Sequence, residues 1–104
     1  MAAISVAQAT VRPGKVQEYL AIVKEAKQLG AKHGLSSRLF VSQLAGPAVG
    51  TYSFVAEAAD LAALATGLQK FFADAAWPSL QDRLFGTNGV ATSVGFSQAT
   101  EVPL

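Results

Sequence analysis

The chain has 104 residues, is 51% hydrophobic and 14% charged, and carries a net charge of +1. It has no cysteine and one histidine, which excludes disulfides, thiolate metal sites, a cysteine nucleophile and a His-rich metal centre within one chain. Charge this far below the roughly 25% of an average soluble protein leaves few ions to solvate a surface, so self-association is expected.

A single domain spanning 1–104 is the reading that length supports. Residues 3 to 11 place Ile4, Val6 and Thr10 on one side and Ser5, Ala7 and Ala9 on the other. This alternation predicts a strand with one bulky and one small face. Arg12-Pro13-Gly14 ends it, and Pro13 suits the first turn of a helix, where its missing N–H is no loss. From Gly14 to about Lys32 the period lengthens: Val16, Tyr19, Leu20, Val23 and Ala26 recur at three- and four-residue spacing, with Lys15, Glu18, Lys24 and Glu25 on the wet side. This predicts an amphipathic helix. Lys32 and His33 fall in its last turn and Gly34 is a natural left-handed cap.

Ser36 to Glu57 reads as two strands joined at Ala45-Gly46-Pro47-Ala48, and Leu39 to Ala56 carries no charged side chain. So long a neutral run predicts a hairpin covered on both faces. In its second strand Thr51, Ser53 and Val55 share one face and Tyr52, Phe54 and Ala56 the other. Asp60 is the expected N-cap of a second helix, with Leu61, Leu64, Ala65, Leu68, Phe71 and Phe72 as its buried stripe and Gly67 weakening it. Trp77-Pro78 is expected to break that helix, with a short helical piece from Pro78 to Phe85 capped by Gly86. After the turn residues Thr87-Asn88-Gly89, Val90 to Thr100 alternates as a last strand.

The order strand, helix, strand, strand, helix, strand is the split βαβ arrangement: an α+β, ferredoxin-like βαββαβ antiparallel sheet with its helices on one face. The other sheet face is expected to hold the small neutral residues Ser5, Ala7, Ala9, Thr51, Ser53, Ser93, Gly95 and Ser97. A second copy of the same sheet is the simplest cover, giving a homodimer. Lysines 15, 24, 27 and 32 alternate with glutamates rather than forming a one-signed patch, so no nucleic-acid or anionic-membrane surface is expected. Gly50-Thr51-Tyr52-Ser53-Phe54-Val55 echoes an aromatic RNA-recognition motif but lacks the basic residue before the glycine. No signal peptide and no membrane-spanning helix are legible, and a cytoplasmic protein is expected.

With this element order and length, the opening Val11-Arg12-Pro13-Gly14-Lys15-Val16-Gln17-Glu18-Tyr19-Leu20 resembles the dimeric α+β barrel superfamily. Within it, the chain resembles the NIPSNAP-like and antibiotic-biosynthesis-monooxygenase-like small proteins. The resemblance implies two sheets facing one another across a dimer. It does not imply one reaction, because members include cofactor-independent oxygenases, isomerases, haem enzymes and proteins of unknown role.

Five residues are candidate ligand contacts: Tyr19, His33, Arg38, Tyr52 and Trp77. His33 alone titrates ordinarily near neutrality and so suits a general base, although a solvated place at the helix C-terminus suits it equally. Arg38 offers a planar fork to an anion, or a strand-end ion pair. Tyr19 and Tyr52 offer hydroxyls at a cavity mouth, or core packing. Trp77 is either a core anchor or a cavity wall, and the resemblance implies the latter in some oxygenase-like relatives. The carboxylates show no metal-ligand spacing, and neither a metal nor a cofactor is expected. No catalytic residue is assigned. A small hydrophobic ligand held between sheet and helices is the expected function, with a cofactor-independent monooxygenase- or isomerase-like enzyme as the alternative.

Overall fold

A computed structural model describes residues 1–43 and 50–104. The expected turn at Ala45-Gly46-Pro47-Ala48 lies outside the described residues. Among these residues seven elements follow in chain order: β1 (Ala3–Val11), α1 (Val16–Lys32), β2 (Ser36–Val41), β3 (Tyr52–Ala58), α2 (Leu61–Ala73), α3 (Trp77–Phe85) and β4 (Ala91–Thr100). The strands form one antiparallel sheet in the order β2-β3-β1-β4. All three helices contribute buried residues to one core. This is the α+β ferredoxin-like fold expected from the sequence, with the second helical segment divided in two.

The junctions follow local chemistry. Arg12-Pro13-Gly14-Lys15 is a tight turn: Lys15 N–H donates to the Arg12 carbonyl at 3.0 Å and Gly14 has φ +77°. Pro13 therefore occupies the second position of a type II turn rather than the first turn of the helix, which starts at Val16. At the far end of α1, Leu35 N–H donates to Gly30 O (2.9 Å) and Gly34 N–H to Ala31 O (3.2 Å), with Gly34 at φ +80°. These are the two bonds of a Schellman motif, and they turn the chain directly into β2. The Asp60 side chain caps α2 by accepting from Ala63 N–H at 2.7 Å.

The break between α2 and α3 comes earlier than Trp77-Pro78 predicts. Asp74 leaves the helical conformation with ψ 138°. Its carboxylate accepts from Ala76 N–H at 2.9 Å, and its carbonyl accepts from Trp77 N–H at 3.0 Å. Trp77 thus opens α3, and Pro78 lies at the helix start, where no N–H is required.

The buried stripe of α2 is Leu64, Gly67, Leu68 and Phe71, narrower than expected, with Leu61, Ala65 and Phe72 outside it. Gly67 is a point of close approach, not merely a weak helix former. A Cβ there would lie 2.7 Å from Leu35 Cδ2 and 3.1 Å from the His33 carbonyl oxygen. The Schellman corner of α1 rests against α2 at this glycine.

The sheet faces are assigned differently from the sequence expectation. Ser5, Ala7 and Ala9 point toward the helices, and their cross-strand partners Ala56, Phe54 and Tyr52 share that face. Ile4, Val6 and Val55 therefore lie on the helix-free side. In β4 the alternation slips. Ala9 pairs with Ser93 but Ala7 with Phe96, so one extra residue is inserted opposite Gln8 and Ala9. This β-bulge places Ser93 and Phe96 on the same, helix-facing side and sends Ser97 to the other. The molecule measures 39 × 37 × 17 Å, and its thin dimension admits one sheet and one helical layer only.

Candidate functional site

Small residues on the helix-facing side of a sheet fill less space than a tightly packed core requires. Ser5, Ala7, Ala9 and Ala56 form such a floor, and a cavity of about 340 Å³ lies above it. Tyr19, Val23, Ala26 and Gly30 of α1 wall one side. Leu68, Phe71, Phe72, Trp77, Leu84 and Phe85 of α2 and α3 wall the other. Phe72 and Phe96 are 45% and 54% exposed and line the cavity, so the mouth lies between the helices and β4. The volume falls in the range of small-molecule sites.

The aromatic wall is mutually braced. The Trp77 ring centroid lies 5.0 Å from that of Phe71 and 5.2 Å from that of Phe72, and the latter two rings meet edge-on at 5.3 Å. Each such pair adds about 0.5–1.5 kcal/mol beyond its area burial. Opposite them, Tyr19 packs edge-on to Tyr52 at 5.1 Å. Burial, and secondarily Tyr52, pushes the Tyr19 phenol up to about 12. It stays protonated at neutral pH and can serve only as a hydrogen-bond partner or a weak acid.

Among the described residues no Asp, Glu, His, Lys or Arg lines this cavity. Its polar side chains among these residues are the hydroxyls of Ser5, Ser37, Ser93 and Tyr19, the Gln81 amide and the Trp77 indole, whose N–H is a donor. Ser37 stands apart among them. It is 4% exposed, and its Oγ has no hydrogen-bond partner among the described residues. A buried hydroxyl left unpaired costs about 1–3 kcal/mol. The helix residue opposite is Gly30, where an added Cβ would lie 3.3 Å from Ser37 Oγ.

The structure brings two of the five sequence candidates, Tyr19 and Trp77, to the cavity. Tyr52 stands behind Tyr19 and does not line it. Arg38 is on the helix-free side, its guanidinium 5.5 Å from the centroid of the Phe40 ring. His33 caps α1 and pairs with Asp74, outside the cavity wall. The lining that the sequence reading missed is mostly small: Ser5, Ala7, Ser37 and Gly30. A signal for Ser37 exists only in the pairing register, which sets it opposite Ala56 and, one strand further, Ser5. Among the described residues no three His, Cys, Asp or Glu side chains gather as a metal site, and no helix is long and apolar enough to cross a membrane.

No protein-family model matches the chain, and no curated protein matches it in sequence. Solved structures do match in fold. A NIPSNAP family protein from Agrobacterium tumefaciens is 20% identical at a TM-score of 0.69, over 100% of this chain and 94% of that one. A putative antibiotic biosynthesis monooxygenase from Bordetella bronchiseptica is 17% identical at a TM-score of 0.70, with 98% of each chain covered. SnoaB, a cofactor-independent oxygenase from Streptomyces nogalater, is 16% identical at a TM-score of 0.70, covering 99% of this chain and 95% of its own. The ferredoxin-like fold is thus shared with NIPSNAP and monooxygenase-like proteins.

Proposed function

We propose that this protein binds a small hydrophobic molecule in the cavity between its sheet and helices, and that it does so as a homodimer joined across the helix-free sheet face. The single observation that carries the binding reading is the 340 Å³ cavity with aromatic walls and, among the described residues, no charged lining residue. Apolar cavities of this kind take up apolar ligands. The test is thermal unfolding with butylbenzene. At ten times its dissociation constant a bound ligand adds about 1.4 kcal/mol, a shift of several degrees for a domain of this length. Ala7→Leu, which fills the cavity floor, should abolish the shift. An unchanged midpoint in the wild-type protein would overturn the reading.

A binding role is preferred to the oxygenase- or isomerase-like alternative for one reason. Among the described residues the cavity presents no carboxylate or imidazole to accept a proton from a bound molecule. Tyr19, the one titratable lining residue among those described, is held protonated.

Two observations support the dimer. The isolated chain exposes 6487 Å², against roughly 5500 Å² for a folded monomer of 10.8 kDa. The excess of roughly 1000 Å² is close to what each partner buries in a standard interface, about 800 Å². The helix-free face, meanwhile, carries Phe40 at 50% and Val94 at 53% exposed, beside the partly exposed Ile4, Val6 and Val55.

A further inference from the structure

We infer that α3 is the gate of the cavity, and that the Glu25–Arg83 ion pair is the latch that holds it closed against α1. The inference rests on the cavity being a binding site. It adds how a ligand enters, and which surface residues set the rate of entry.

Trp77, Gln81, Leu84 and Phe85 all lie on α3 and all line the cavity. Their spacing puts them on one side of this nine-residue helix. Across the cavity, α1 contributes Tyr19, Val23, Ala26 and Gly30. Gln81 and Phe85 are exposed as well as lining, so α3 borders the mouth. A shift of α3 away from α1 widens that mouth and leaves the sheet floor in place.

Little buried surface holds α3 down. It buries only Leu80 and Leu84, and Leu84 is itself cavity wall. Asp74 at one end (ψ 138°) and Gly86 at the other (ψ −177°) are both extended, so α3 is a short piece between two breaks. Its first turn is loosely closed. Ala76 supplies no side-chain cap, and Leu80 N–H reaches the Ala76 carbonyl at 3.4 Å. Segments with few buried apolar groups open at low free energy.

Ions tie both ends of this segment to α1. Arg83 donates to both oxygens of Glu25, at 2.8 and 2.9 Å, a two-pronged bond between the helices. Glu25 adjoins the lining residue Ala26 and Arg83 adjoins Leu84, so the bond closes the seam from outside. At the other end Lys32 and His33 hold Asp74. Among the described residues the remaining ion pair, Lys15–Glu18, is local to the start of α1. The Arg83 and Glu25 side chains are 43% and 49% exposed, so salt screens their attraction. Entry and exit both wait on the open state. Breaking the latch raises the population of that state, so it speeds both and leaves affinity nearly unchanged.

Trp77 is the only tryptophan in the chain and lines the cavity, so its emission reports occupancy. The experiment follows butylbenzene binding by stopped-flow emission in the wild type, Glu25→Gln, Arg83→Gln and the double variant. Each single variant should raise the association and dissociation rates together, about two- to fivefold, with the dissociation constant within twofold of wild type. The double variant should match the singles, because either change alone breaks the bond. Raising NaCl from about 0.05 to about 0.5 M should speed both rates in the wild type and change those of Arg83→Gln less. Lys15→Gln breaks the local pair instead, and should leave both rates unchanged. A purely structural ion pair would shift the urea midpoint without raising the association rate. The inference is overturned if the single variants keep the wild-type association rate, or if Lys15→Gln raises it equally. If butylbenzene fails to bind the wild type at all, the cavity reading itself has failed, and the inference falls with it.

Discussion

His33 Nε2 lies 2.8 Å from Asp74 Oδ2, across 41 residues of sequence. The same oxygen takes Lys32 Nζ at 3.0 Å, while the other carboxylate oxygen accepts from Ala76 N–H. One carboxylate thus ties the end of α1 to the corner between α2 and α3, directly behind the aromatic wall of the cavity. The Ala76 N–H chiefly, then His33 and Lys32, hold the Asp74 carboxyl well below the usual carboxylate range.

The sign of the resulting pH dependence follows. A carboxyl whose pKa is lower folded than unfolded stabilises the fold when ionised. That contribution is complete above the unfolded value of about 3.9 and drains away as pH falls below it. Asp74→Asn keeps the shape and removes the titration. Its melting temperature should fall less steeply than the wild type's between about pH 5 and pH 3. Parallel slopes for the two proteins would show that Asp74 contributes nothing through its charge.

Gly67→Ala is expected to destabilise the protein. On an exposed helix face, Gly to Ala gains up to about 1 kcal/mol. Here the new methyl would meet Leu35, itself buried, at 2.7 Å and the His33 carbonyl at 3.1 Å. Overpacking of that kind costs about 1–3 kcal/mol, so the net effect is a loss. Urea denaturation that shows a gain would mean that the Schellman corner yields freely.

These two contacts show why the sequence was readable only in part. Periodicity located every strand and helix, because burying one face imposes spacing directly on the chain. It could not assign the faces of β1, since a strand with one bulky and one small side fits either way round. The small side went under the helices, and that choice created the cavity. The inserted residue in β4 was equally silent: Val94 alternates perfectly with its neighbours, yet only the pairing with Gln8 and Ala9 shows that Ser93 and Phe96 face the same way. His33 was singled out by its chemistry, but Asp74, its partner, is adjacent only through the packing of α1 on α2 and α3.

Ser37→Ala should raise stability in the absence of ligand. The substitution removes a buried hydroxyl that has no partner among the described residues, so no hydrogen bond with them is lost. Relief of the desolvation cost is expected to contribute about 1 kcal/mol, read as a higher urea midpoint at unchanged slope. A loss of comparable size would reveal a bond that the hydroxyl makes in solution.

Val6 and Val55 face one another across the β1–β3 ladder, on the side of the sheet that no helix covers. An apolar pair in mid-sheet is where a second copy would bury most and where a charge would be hardest to accommodate. The wild type should sediment as a dimer at micromolar concentration. Val6→Lys should sediment as a monomer, because two-fold symmetry brings both new ammonium groups into one interface. The cavity lies on the opposite face of the sheet, so the variant should keep the Trp77 response to butylbenzene. A wild type that is already monomeric at that concentration would leave the helix-free face without its proposed cover. A dimer that survives Val6→Lys would move the interface elsewhere.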